Sequence, residues 1–399
     1  MQISKSTARK LAIRSQGIGS GWKLPAGKEG VAQTIERIGY VQIDTILVVQ
    51  RAHHHTLWSR CPDYTPQMLH DLQAYDRRVF EYWAHAASYI PMCDYRYYLP
   101  RMRAAANRQR DRQWLEQNAQ VKADVVERIR KEGPLGSADF AAPAGYNRSS
   151  WWDWKPAKRV MEILFNMGEM MVTERRNFHR IYDLTERVLP EGTDTTMPDE
   201  DEMARYMIKR GLGGSGFASV DAIWWGSRAP DSFHKMIEEL VDSGEITPVE
   251  IRGLSDTDYY ALTENIEEAK KRRRKRVHIL SPFDNLVIHR GRLSILFGFN
   301  FKMECYLPAV KRRYGYFCLP ILWGENFVGR LDPKADRKKK TFIIRNIIFE
   351  PNFKDYDGLM PALAEKIRSF ADFNGCERVV VEQATPEKAK DPLTRALLF

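Results

Sequence analysis

The stretch WWDWKPAKRVMEILFNMGEMMVTERRNFHRIYDLTE, from Trp151 to Glu186, decides the fold. Pro156 brings a φ already set for a first helical turn. Val160, Ile163, Leu164 and Met167 then recur at helical spacing, and Gly168 stops the run. MMVTER and FHRIYDL follow as two strand-like runs joined at Arg176 and Asn177. Upstream, VKADVVERIRKEGPLGSADF predicts a helix stopped at Gly133–Pro134, with Ser137 as the N-cap of a short helix. Helix, short helix, helix and hairpin make a helix-turn-helix with a wing.

The pattern recurs in MIEELVDSGEITPVEIRGLSDTDYYALTE, Met236 to Glu264. Leu164-x-x-x-Gly168-Glu169 matches Leu240-x-x-x-Gly244-Glu245, and Leu184-Thr185-Glu186 matches Leu262-Thr263-Glu264. The offset is 76 residues at the helix and 78 at the second strand, so the second wing is two residues longer. An internal match of this kind argues for tandem winged helices. The first copy is basic, and the second carries Glu238, Glu239, Asp242 and Glu245. Acids do not suit a helix facing phosphates, so the second copy reads as mainly structural.

EGVAQTIERIGYVQID, a helix ended at Gly39 and then an extended segment, resembles a third copy. KKRRRKR, Lys270 to Arg276, reads as a solvated linker. Beyond it VHIL, NLVIH, YGYFCLPILW, NFVGRLD and FIIRNIIFE are candidate strands. A helix near Gly358–Phe373 and a strand RVVVEQ follow. The expected class is α+β: tandem winged helix-turn-helix domains with a C-terminal antiparallel β-barrel-like domain. The divisions are 1–118, 119–195, 196–270 and 271–399.

The net charge of +10 suits a polyanionic partner, with nucleic acid as the default. No run of eighteen apolar residues offers a membrane span, and the first residues lack the apolar core of a secretory signal. Five scattered cysteines make neither a disulfide framework nor a C-x-x-C pair, so a reducing cytoplasm is expected.

Within YVQIDTILVVQ, Tyr40 to Gln50, an amide and a carboxylate interrupt an apolar run. If residues 40–44 are extended, Gln42 and Asp44 share one surface, roughly 6–7 Å apart. Alternatively, Asp44 N-caps a helix from Thr45, and the two roles can coexist. His53-His54-His55 looks like a metal cluster, but helical neighbours point about 100° apart and do not converge, so no metal is expected. Gly211-x-Gly213-Gly214-x-Gly216 lacks a P-loop Lys-Ser/Thr and reads as a flexible loop. Trp151, Trp152 and Trp154 read as core or interface aromatics, and Asp284 as a structural carboxylate.

VQIDTI (Val41–Ile46), YWAHAASYIP (Tyr82–Pro91), WWDWKPAKR (Trp151–Arg159), ERRNFHRIYDLTERV (Glu174–Val188), LSPFDNLV (Leu280–Val287) and ECYLPAVKRRYGYFCLPIL (Glu304–Leu322) together resemble the YcaQ-type winged-helix DNA glycosylases, the AlkZ/AlkX-like superfamily. The resemblance implies tandem winged helices and a C-terminal β-barrel around a basic DNA channel. It implies a Gln-x-Gln or Gln-x-Asp catalytic signature, here Gln42-Ile43-Asp44. The Gln-x-Asp branch is associated with excising N7-alkylated purines, including those crosslinked between strands by bifunctional alkylators. Asp44 and Gln42 are then the catalytic pair, with no cofactor and double-stranded DNA as partner. Candidate phosphate contacts are Arg51, Arg60, Lys155, Lys158, Arg159, Arg175, Arg176, Lys311, Arg312 and Arg313. A monomer is expected, because no heptad seam is visible. The rival reading is a winged-helix transcriptional regulator, which fits the first repeat and the charge equally well. It leaves the Gln/Asp pair and the β-rich end without a purpose.

Overall fold

The computed structural model describes residues 1–19, 22–141, 155–224, 228–254, 258–271 and 274–398. Trp151, Trp152 and Trp154 lie outside them. The fold is mixed α+β, and three of its four sheets share one plan.

Each of those three follows the order helix, glycine, short strand, helix, hairpin. The helices Gly27–Ile38, Ala119–Glu132 and Glu200–Ser215 end at Gly39, Gly133 and Gly216. Two residues beyond each glycine a short strand begins: Val41–Gln42, Leu135–Gly136 and Ala218–Ser219. The glycines have φ of 83°, 88° and 83°, a conformation that lets a helix turn into a strand within one residue and that a side chain would strain. The first residue of each short strand pairs antiparallel with a tyrosine on the second hairpin strand: Val41 with Tyr89, Leu135 with Tyr182, and Ala218 with Tyr259's neighbour Tyr260. The N-terminal segment is therefore a third copy of the same order.

The two copies legible from sequence agree at bond level. Helices Pro156–Met167 and Asp231–Asp242 lead into hairpins Met170–Arg176/His179–Leu184 and Ile246–Ile251/Tyr259–Leu262. Thr185 N–H donates to the Glu169 carbonyl at 3.2 Å, and Thr263 N–H to that of Glu245 at 3.1 Å. These are the Leu-Thr-Glu and Gly-Glu residues that matched in the sequence.

Three expectations need correction. The C-terminal sheet is not closed into a barrel. Its order is Val277–Ile279, Leu319–Trp323, Asn326–Asp336, Thr341–Phe349, Arg378–Val381, and its last pairing is parallel. Ala384–Thr385 also pairs parallel with Thr341–Phe349. The reason is the helix Tyr356–Phe373, which crosses over between those parallel strands and buries Leu359, Leu363, Ile367 and Phe370 against the sheet. The sheet wraps a helix instead of itself. Second, NLVIH is not a strand: it is a turn leading into the helix Arg290–Phe297. Third, Gly211 to Gly214 belong to a helix, not a loop. A Cβ on Gly211 would lie 3.2 Å from Ile223, and one on Gly214 would lie 3.4 Å from the Ile38 carbonyl. The glycines permit close approach.

The first unit and the C-terminal sheet share one apolar core. Val31, Ile35, Val41, Leu57 and Leu72 pack in the same cluster as Ile279, Leu319, Phe342, Leu363 and Phe370. Backbone bonds reinforce it, from Ala335 N–H to the Val48 carbonyl at 3.1 Å and from Gln50 N–H to the Asn374 side chain at 2.8 Å.

Candidate active site

The short strand Val41–Gln42 carries the first motif residue. Gln42 pairs with Ser88, and Ile43 N–H continues the ladder to the Ala87 carbonyl at 2.8 Å. Gln42 is buried, and among the described residues none donates a hydrogen bond to its Oε1. A buried amide oxygen without a partner is uncommon and asks for an explanation. After Ile43 the chain leaves the sheet. Asp44 Oδ1 accepts the Ile46 N–H at 2.8 Å, which closes a local turn. No helix starts at Thr45, and the next is Ala52–Trp58, so the helix-cap reading gives way to this turn.

Asp44 is half-buried, and among the described residues no cation forms an ion pair with it. Burial pushes its pKa above the ordinary carboxylate value, while the Ile46 N–H pulls the other way. Segments distant in sequence meet around it. Burial, with the nearby Asp44 charge contributing, raises the Cys305 thiol and the Tyr306 phenol. The Arg290 guanidinium acts on both of those groups in the opposite sense. His85 lies 6.2 Å from His289, ring to ring. Asn285 donates to the Tyr40 carbonyl at 3.0 Å, tying the turn after Ser281 to the motif strand. Sequence reading missed His85, Asn285, Arg290 and Tyr306. Only their presence in the family-like stretches YWAHAASYIP, LSPFDNLV and ECYLPAVKRR marked three of them.

The loop from Glu304 to Gly315 is held in shape. The Glu304 carboxylate accepts the Tyr314 and Gly315 N–H groups at 2.7 and 3.2 Å, and Arg312 Nε donates to the Leu307 carbonyl at 2.9 Å. Its outer side presents Tyr306 and Val310, 72% and 93% exposed, together with Lys311 and Arg313. Basic and apolar groups thus share this loop with Tyr306, which lies near Asp44.

The three histidines diverge. His53 stacks on Phe178 at 6.0 Å, His54 Nδ1 lies 2.7 Å from the Tyr64 hydroxyl, and His55 Nε2 is 2.9 Å from the Ile279 carbonyl. Burial holds His54 and His55 neutral, with pKa values of about 4. Among the described residues no group of three or more His, Cys, Asp or Glu is placed to hold a metal ion.

The basic candidates divide by exposure. Arg60 has no exposed side-chain surface and pairs with Asp284 through two bonds of 2.7 and 3.0 Å. Its remaining donors go to Gln16, Thr56 and Ser59. It is therefore an interior cation and not a phosphate contact. Arg175 is similar: it clamps the buried Glu81 with bonds of 2.8 and 2.7 Å and gives its third nitrogen to the Phe178 carbonyl. Its task is to fasten one hairpin to another. Arg51 is half-buried over the Phe178 ring, Arg159 lies over Trp114, and Lys155 donates to the Phe140 carbonyl. Lys158 is half-buried. Arg176, at the hairpin tip, Lys311 and Arg313 are exposed, and Arg312 is half-buried and bonded within its loop.

With this geometry in hand, comparison defines the class. A family model described as DNA glycosylase AlkZ-like matches residues 35–373, and the chain belongs to that family of DNA-repair glycosylases. Among solved structures, the Streptomyces sahachiroi DNA glycosylase AlkZ superposes with a TM-score of 0.64 at 16% identity, over 96% of this chain and 100% of that one. At that identity the likeness is one of fold. Among the described residues no helix is long and apolar enough to cross a membrane.

Proposed function

We propose that this glycosylase hydrolyses the N-glycosidic bond of N7-alkylated purines, including purines joined across strands, with Asp44 and Gln42 as the catalytic pair. The observation that carries this is the half-buried Asp44 carboxylate, without an ion pair among the described residues, two positions along the chain from a buried amide with an unused oxygen. Family membership displaces the regulator reading. The three repeated units are read as winged helices, numbered as 1–118, 119–195 and 196–270, with 271–399 as the C-terminal sheet unit. These are units of sequence, since the first and last share a core.

Alkylation at N7 gives the purine a formal positive charge. When the C1′–N9 bond breaks, its electron pair neutralises that charge and the base leaves uncharged, so no strong general acid is needed. The sugar becomes oxocarbenium-like, and water adds at C1′. Asp44 stabilises the developing positive charge and accepts the proton of that water, as a carboxylate does in glycoside hydrolysis. Ile46 N–H fixes one carboxylate oxygen, leaving the other for the water. Gln42 orients the water or the lesion through its side-chain amide. The product is an abasic site, and the enzyme acts as a monomer without lyase chemistry.

A crosslinked base cannot swing freely into a deep pocket, because its partner strand is attached. The surroundings of Asp44 suit such a substrate: its chain neighbour Thr45 and the nearby Tyr306 are exposed. The test is incubation of a duplex carrying one N7-alkylguanine, followed by piperidine. Strand breaks at the lesion are expected from the wild type. No product from monoadducts or crosslinks overturns the reading.

Two further results are expected. The single-turnover rate should fall on acidification along a limb whose midpoint lies above pH ~4, the ordinary carboxylate value, because burial raises Asp44. A rate flat down to that pH removes Asp44 as the base. Separately, Lys311→Ala and Arg313→Ala should each lower the salt slope of DNA binding by about 1, without changing lesion preference. An unchanged slope takes the Glu304–Gly315 loop off the DNA.

A further inference from the structure

Arg290 opens the helix Arg290–Phe297 and is half-buried. Its guanidinium has few partners. Nη2 donates to the Pro282 carbonyl at 3.3 Å, Nε is buried with no partner, and the Phe301 ring centroid lies 5.7 Å away. Among the described residues no carboxylate pairs with it. Arg60 and Arg175, which serve the interior, are different. Each holds a buried carboxylate through two bonds, and each of their nitrogens has a partner. Arg290 is too well shielded to be an ordinary surface cation and too poorly bonded to be a structural one.

Its charge reaches the surroundings of Asp44. Burial and then Arg290 lower the pKa of His85, which sits in the hairpin that pairs with the motif strand. Burial raises Cys305 and Tyr306, and both also sense Asp44 and, in the opposite sense, Arg290. Yet among the described residues Asp44 and Arg290 form no ion pair. The cation stands at the rim of the site without neutralising the carboxylate. Arg292 also lacks a carboxylate, but it gives Nη2 to the Ser215 carbonyl at 2.6 Å and lies over the Phe217 ring at 4.3 Å.

Taking a cation out of water without an anion costs free energy, and burial accordingly lowers the Arg290 pKa. There is room for an anion. Arg290 lines a cavity of about 630 Å³ together with Phe217, Tyr259 and Ile295, in which Asp221 is the carboxylate of the described lining. A DNA glycosylase meets one anion at every turnover, the backbone phosphate. When the C1′ of a nucleotide faces Asp44, that nucleotide's own phosphates stand one sugar away. Guanidinium N–H groups match phosphate oxygens in geometry and charge. We propose that Arg290 holds a phosphate flanking the nucleotide whose C1′ faces Asp44, and so sets the sugar against the carboxylate. This rests on the assignment of Asp44 to the site of base release.

The experiment measures binding, so that it does not depend on the chemical step. The probe is a duplex carrying one tetrahydrofuran abasic analogue. A single uncharged methylphosphonate replaces either phosphate flanking the analogue or, as a control, one near the duplex end. For the wild type, one flanking replacement should weaken binding roughly tenfold, and the control much less. Arg290→Ala should weaken binding of the unmodified duplex by a similar factor and lose its sensitivity to that same replacement, since both changes remove one contact. Arg290→Lys should keep part of the sensitivity, and it serves in place of Arg290→Ala if that variant does not fold. A merely structural arginine would leave the methylphosphonate penalty unchanged. That result overturns the proposal, as does a wild type indifferent to both flanking replacements. Asp44→Asn should bind with the wild-type pattern. That pattern, together with no base release by the wild type from N7-alkylguanine or crosslinked duplexes, would sink the substrate reading and leave the phosphate contact standing.

Discussion

Replacing Asp44 by Asn is expected to slow base release by roughly 10²–10⁴-fold while leaving the protein at least as stable as the wild type. The two halves come from one observation. Burial raises the Asp44 pKa, so at neutral pH the folded chain carries a carboxylate that is less comfortable there than in the unfolded chain. This penalty is present above the folded pKa and absent below the unfolded value, so a neutral amide relieves it. The Asn carbonyl oxygen can still accept the Ile46 N–H, so the turn is kept. In the proposed mechanism, what is lost is the negative charge facing the sugar and the site that takes the proton from water. Single-turnover kinetics on an N7-alkylguanine duplex and thermal unfolding of the same preparation check both. A variant that retains full rate removes Asp44 from the chemistry. A variant that melts well below the wild type makes the carboxylate structural.

The second large effect is on stability. Arg60→Ala is expected to cost about 3–5 kcal/mol, the usual range for leaving one partner of a buried ion pair alone. Asp284 has no exposed side-chain surface, and its oxygens accept the Arg60 bonds and the Leu286 N–H. Without the guanidinium, a carboxylate would be stranded in the interior, and the Gln16 and Thr56 carbonyls would each lose a donor. Replacing both residues, as Arg60→Met with Asp284→Leu, should recover much of the loss, because no buried charge is then left unpaired. Urea unfolding measures this. Salt-dependent DNA binding by the folded variants should match the wild type. A lowered salt slope with unchanged stability would put Arg60 on phosphate after all.

Arg60 also marks where sequence reading stops. Its burial is decided by a partner 224 residues away, and no local pattern separates it from Lys311, which is exposed. Arg175 was misplaced for the same reason, since its partner Glu81 lies 94 residues upstream. By contrast, Leu164, Gly168 and Leu184 were legible in their roles because the helix, its glycine stop and its hairpin are local. The third copy was half legible: Gly39 and the extended Val41–Gln42 showed, but residues 43–51 separate the short strand from the next helix and blur the match. The barrel was misread because alternation in FIIRNIIFE identifies a strand without revealing that its neighbour runs parallel. Gln42 and Asp44 stood out as polar residues in an apolar run, while Tyr306, Asn285 and Arg290 come from the other end of the chain.

The core shared by the first unit and the last sheet has a consequence for how the molecule comes into being. A ribosome delivers the motif strand early, but Asp284, Ile279 and the loop that borders Asp44 emerge more than two hundred residues later. At ordinary elongation rates that is a wait of about 10–45 s. Throughout it, Arg60 lacks the Asp284 carboxylate, and Val31, Ile35 and Leu57 lack the part of their core that the last sheet supplies. The candidate site is thus among the last parts to be finished. A chain cut short before its final sheet carries both motif residues yet has no place to put them to use.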